Sequence, residues 1–334
     1  MTAVRRRAVS ALVLTILFGL LVAFGWRVDW RAAAAAVRRA DMIVLIVALS
    51  LNQLSLIMKG VRWWVFLRPL GVHSLPMVLR ATYAGASLNN LLVAQGGEGA
   101  RVVLVSRASG VSSACVAAAL ALERVLDAVT YLVLLVLAGW MLHLPPVIAR
   151  YRTAASLGLT AAVVALTVLG TRTPRRRSRP RERRASRLRS YRDRFVSSVS
   201  HIASPSRLGV AMLLSLGAWA LQVATYHLVA RAAHLPISLA GSVSAMLAIG
   251  FSFLLRATPG NIGIFQVVYA LTARAFGIAE APAVAVALLI QSVQVLPTVL
   301  LGTLLTHGLV PRERQTARLA AQQPTEVNDA ASPC

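Results

Sequence analysis

Apolar residues fall in uninterrupted blocks of helix length, not in the short alternation of a half-buried strand. About 17 to 25 such residues suffice for a helix to cross a hydrocarbon core. Blocks of this kind occur at 8–25, 41–58, 114–142, 154–170, 207–230 and 284–308. Two more, 238–255 and 262–277, are parted only by a short stretch around Thr258, Pro259, Gly260 and Asn261. The segment 76–95 is apolar but interrupted by Arg80, Asn89 and Asn90, and reads as a re-entrant or broken element. The pattern predicts an all-α, polytopic integral membrane protein with about eight transmembrane helices. A helical membrane domain occupies 1–310, and a polar, disordered cytoplasmic tail follows at 311–334.

Composition agrees with this class. The chain is 57% hydrophobic and 14% charged, with a mean hydropathy of +0.69, whereas soluble domains carry about 25% charged residues. The net charge of +24 does not indicate nucleic acid, because the arginines lie in short stretches between apolar blocks. Arg5, Arg6 and Arg7 place the N-terminus in the cytoplasm ahead of an uncleaved first span. The loop 171–206 between the halves holds twelve arginines within 172–194, against Glu182 and Asp193, and belongs on the same side. Eight crossings with both termini cytoplasmic, in the cell membrane, satisfy these constraints.

A local repeat suggests an internal duplication. Leu-Leu-Val-Ala-Gln-Gly-Gly at 91–97 and Leu-Leu-Arg-Ala-Thr-Pro-Gly at 254–260 match at four of seven positions. Each puts helix-breaking residues between apolar segments, with turns expected at Gly96, Gly97, Pro259, Gly260 and Gly263. Unwound backbone at membrane depth needs protein or water partners. Matching breaks in two halves point to a central binding site in transporters. Helices starting after the breaks would aim positive ends at that site.

Charges within the apolar blocks are the remaining signal, since each costs about 2.5–3.5 kcal/mol at the bilayer centre. Glu123, Arg124 and Asp127 share one flank of the block 114–142. Arg256 precedes the second break, and Glu98 with Arg101 follows the first. These six residues are the candidate lipid-headgroup ligands; the trio at 123–127 reads equally as a buried ion-pair cluster that locks helices together. Asn52, Ser55 and Lys59 share a face, as do Gln291, Gln294 and Thr298; they read as interhelical packing. No nucleophile or metal-ligand constellation is visible, so neither enzymatic activity nor a metal or cofactor is expected.

Four stretches in order resemble a known family: Met58 to Trp64 (Met-Lys-Gly-Val-Arg-Trp-Trp), Leu88-Asn-Asn through Gly97-Glu98-x-x-Arg101, Glu123-Arg124-x-x-Asp127, and Thr258 to Phe265. Together they resemble the flippase-like transmembrane domain of lysylphosphatidylglycerol synthases, in a stand-alone form without the synthase domain. The resemblance implies a helical fold with re-entrant elements and movement of a lipid between leaflets. Asn261 departs from the family's Pro-Gly-Gly-x-Gly turn, and Gln266 stands where a glutamate is usual. The expected partners are membrane lipids, an anionic phospholipid or polyprenyl-phosphate-linked glycolipid. The alternative is a non-catalytic accessory subunit of a membrane lipid-modifying enzyme or glycosyltransferase.

Overall fold

The computed structural model describes residues 30–91, 96–141, 153–154, 156–161, 195, 198–199, 201–252 and 258–306. Among them every regular element is helical: α1 Trp30–Arg38, α2 Met42–Leu67, α3 Leu75–Leu91, α4 Gly96–Ser109, α5 Ser113–Met141, α6 Pro205–Ala232, α7 Leu239–Ser252, α8 Ile264–Arg274 and α9 Glu280–Thr306. The spans expected at 8–25, most of 154–170, most of the arginine loop, the tail from 311 and Arg256 lie outside the described residues.

Local chemistry sets the helix ends. The Asp41 carboxylate accepts from the backbone of Ile43 at 2.8 Å and Val44 at 3.2 Å, capping the otherwise unpaired first turn of α2. Arg68–Leu70 tightens into a 3-10 turn around Pro69, and Gly71 then reverses the chain at φ 96°. At α6, Ser204 precedes the helix and Pro205 occupies its first turn, where a missing N–H does no harm. Segments Met42–Leu70, Pro205–Ala232 and Glu280–Leu305 are long and apolar enough to cross a membrane. Helix α5 has 29 residues, about 43 Å at helical rise, and carries the charged trio. Ile43 and Leu213 are 75% and 71% exposed, as suits lipid contact but not water. The protein is an all-α, multi-pass membrane protein.

The blocks 238–255 and 262–277 are not two crossings. Helix α8 has 11 residues, about 17 Å, too short for a core of about 30 Å, and the described part of α7 covers 14 residues, about 21 Å. They fold back on each other as a hairpin, because the Pro-Gly-Asn turn reverses the chain inside the protein. Helices α3 and α4 form a similar hairpin. Arg80, Asn89 and Asn90 do not interrupt α3, which runs unbroken to Leu91. Gly96 and Gly97 are the first two residues of α4 and not turn residues, and 92–95 lie outside the described residues.

The described helices recur in the same order in the two halves, in the arrangement of an inverted repeat. Helices α2 and α6 are antiparallel: Asp41 N–H donates to the Ala232 carbonyl at 2.8 Å, and Ser55 Oγ to the Ala218 carbonyl at 2.8 Å. Near the other end, Arg62 Nη1 donates to Ser215 Oγ at 2.6 Å. Ser55 and Ala218 stand 163 residues apart. That offset carries α2 onto 205–230, α3 onto 238–254, α4 onto 259–272 and α5 onto 276–304. These ranges closely overlay α6, α7, the Pro259–Asn261 turn with α8, and α9. It also relates Gly71 to His234, both left-handed, at φ 96° and 54°. A rough two-fold axis therefore passes near Ser55 and Ala218, across the helix direction.

Candidate functional site

The described ends of the two hairpins, at Asn90 and Gly260, meet near this axis. A Cβ added to Gly260 would lie 3.3 Å from the Asn90 carbonyl oxygen, so glycine permits the approach. Each tip is braced by a side chain crossing its own hairpin. Gly97 N–H donates to Asn89 Oδ1 at 3.0 Å, and Asn261 Nδ2 donates to Ser252 Oγ at 3.1 Å. Asn89 and Ser252 are partners under the repeat, as are Gly97 and Gly260. Gly260 and Asn261 are both left-handed, at φ 60° and 59°. Asparagine tolerates that conformation better than most residues, which accounts for its standing in a glycine position.

Gln266 is explained by the same tip. Its Oε1 accepts from Gly263 N–H at 2.6 Å, and its Nε2 donates to Gln291 Oε1 at 2.6 Å. Gln291 Nε2 then donates to the Gly260 carbonyl at 2.7 Å. An amide supplies both the donor and the acceptor that this chain of bonds requires, and no charge is introduced. The Gln291 contact is more than packing, because it holds the Pro259–Gly260 turn to α9.

Beside the tips lies a cavity of about 320 Å³. Its polar lining includes Asn52, Lys59, Asn89, Asn90, Gln222 and Gln294, drawn from α2, α3, α6 and α9. Trp219, Tyr226 and Met246 supply apolar wall. Among the described lining residues there is no carboxylate. The Lys59 ammonium sits 5.6 Å from the centre of the Trp219 ring, a cation–π contact. Its sequence signal was its standing as the chain's single lysine within an apolar block; the polar face it shares with Asn52 and Ser55 resembled ordinary interhelical packing.

One helical turn from Lys59, five of the six predicted charged residues come together around one they omitted, Arg62. Arg62 is fully buried and bonds Glu123 at 3.1 Å and Asp127 at 2.6 Å. Arg101, 5% exposed, bonds Glu123 at 2.9 Å and stacks 4.1 Å above the Trp63 ring. Arg124 is half exposed and bridges Glu98 at 2.6 Å and Asp127 at 3.4 Å. Three arginines thus face three carboxylates, and α2, α4 and α5 are locked together. None of the five predicted residues lines the cavity; they close the space beside it, toward the end bearing Arg68. Arg62 was legible only as one of a Val-Arg-Trp-Trp group, with nothing local to announce carboxylates more than 60 positions away.

Residues 8–302 match the family described as lysylphosphatidylglycerol synthase TM region. A UPF0104 membrane protein of Pyrococcus horikoshii is 25% identical over 303 residues, covering 80% of this chain and 87% of the relative.

Proposed function

This chain belongs to the lysylphosphatidylglycerol synthase TM region family, and on that premise we propose that it is a lipid translocase. A lipid headgroup enters the polar cavity at the repeat axis while its tails stay in the bilayer. The observation carrying this reading is the cavity itself, built where two inverted hairpins meet between membrane-spanning helices. Inverted repeats surrounding a midplane site suit alternating access, because rocking one half against the other opens the site to each side in turn.

The protein acts in the cell membrane with both termini cytoplasmic. The arginine-rich loop precedes α6, so the Arg68 and Arg207 end faces the cytoplasm by the positive-inside rule. The Arg62–Glu123–Arg101 lock then separates the cavity from the cytoplasm, and its parting is the cytoplasmic opening step. Expected substrates are anionic lipids, and no chemical transformation of the lipid is part of the proposal.

Reconstitution into vesicles with fluorescent anionic lipids tests the reading by dithionite quenching. Faster exchange of outer-leaflet and inner-leaflet probe than in protein-free vesicles supports it. Exchange at the protein-free rate across phospholipid and polyprenyl-phosphate probes refutes it, and an accessory role then takes precedence.

A further inference from the structure

We infer that Lys59 is the phosphate-binding residue of the central cavity, and that the cavity takes a headgroup with a single phosphodiester charge and hydroxyl substituents. The inference rests on the translocation reading only for the lipid nature of the ligand. Its basis is charge balance. In the neighbouring cluster Arg62, Arg101 and Arg124 are matched by Glu98, Glu123 and Asp127, each carboxylate already bonded to an arginine. Among the described residues Lys59 is therefore the fourth cation beside three carboxylates; Asp127 and Glu123 act on it only through space, and it forms no hydrogen bond or ion pair. A cation at membrane depth is stable when an anion or a water-filled space meets it. The cavity in front of Lys59 presents that space, and its described lining offers no carboxylate to fill the role.

The remaining lining sets the rest of the headgroup. Asn52, Asn90 and Gln222 bring side-chain amides that have no partner among the described residues, and each both donates and accepts. The Trp219 indole N–H is buried without an acceptor. Neutral donors and acceptors around one cation suit phosphate oxygens and hydroxyls, and they oppose a choline-type ammonium, which Lys59 would repel. The volume of about 320 Å³ is near the lower end of small-molecule sites, roughly 300–1,000 Å³, and accommodates one compact headgroup.

The test uses the full chain in neutral-lipid nanodiscs, titrated with dihexanoylphosphatidylglycerol, dihexanoylphosphatidylcholine and tail-less glycerophosphoglycerol. The parent chain is expected to prefer phosphatidylglycerol over phosphatidylcholine, and Lys59→Met to weaken phosphatidylglycerol binding roughly ten- to hundredfold. Lys59→Arg is expected to retain most of the preference. Unchanged circular dichroism and elution confirm that Lys59→Met is folded, as removal of an unpaired charge predicts. Equal phosphatidylglycerol binding by the parent chain and Lys59→Met overturns the inference, as does a parent chain without headgroup preference. Glycerophosphoglycerol binding as tightly as the lipid upholds the phosphate site and overturns the lipid reading. Lys59→Met vesicles that translocate phosphatidylglycerol at the parent rate leave translocation standing and overturn the role of Lys59.

Discussion

Glu123→Gln is a near-isosteric change that removes one charge from the ionic lock and little volume. Glu123 is 3% exposed and receives Arg62 at 3.1 Å and Arg101 at 2.9 Å, both of them buried. After the change, three guanidinium groups face two carboxylates, and Arg62 and Arg101 share the single neutral amide oxygen left at 123. Breaking a buried pair by removing one partner costs about 3–5 kcal/mol, because the other charge stays buried without compensation. At about 1.4 kcal/mol per decade, that shifts the folding equilibrium more than a hundredfold. The assay is reversible denaturation in mixed micelles, followed by far-UV circular dichroism. Arg101→Met in the same chain restores the balance of charge. The double variant is therefore expected to recover much of the loss, with a coupling of about 2 kcal/mol or more between neighbours in one network. If Glu123→Gln unfolds within about 1 kcal/mol of the parent chain, water reaches the cluster and the closed-lock argument fails.

Four further outcomes follow. Gly97→Ala would drive its Cβ into the Gly85 carbonyl and to within 2.7 Å of Asn89 Oδ1, destabilising the first hairpin by about 1–3 kcal/mol or more. Gly99→Ala meets open space and is expected to be neutral or stabilising by up to about 1 kcal/mol in the same denaturation assay. Asn261→Gly loses the Ser252 hydrogen bond, about 1 kcal/mol, and Asn261→Ala adds a left-handed backbone penalty of about 1 kcal/mol; equal melting of the two variants contradicts this account of the turn. Cysteines at Gly71 and His234, both exposed, should react with impermeant maleimide from opposite sides of the membrane; labelling of both from one side rules out the inverted repeat.

By itself the sequence determined the helical class, the main membrane segments and the places where helices must break. Unbroken apolar blocks report burial away from water, and the structure extends 41–58 to Leu67 and starts the 284–308 block earlier, at Glu280, without changing their nature. Glycine and proline act through local backbone geometry, so Gly260 and Gly263 were readable as turn residues before any fold was known. Tertiary structure alone decided which elements meet. Hydropathy counts 238–255 and 262–277 as two spans, since it cannot distinguish a crossing from a hairpin shielded by neighbouring helices. The identity of Arg62 as the centre of the lock, and of Lys59 as the cation facing the cavity, depends on contacts between α2, α5 and α6 across long sequence separations. Helical periodicity records which face of a helix is polar, whereas the partner on that face is selected by packing of the whole bundle.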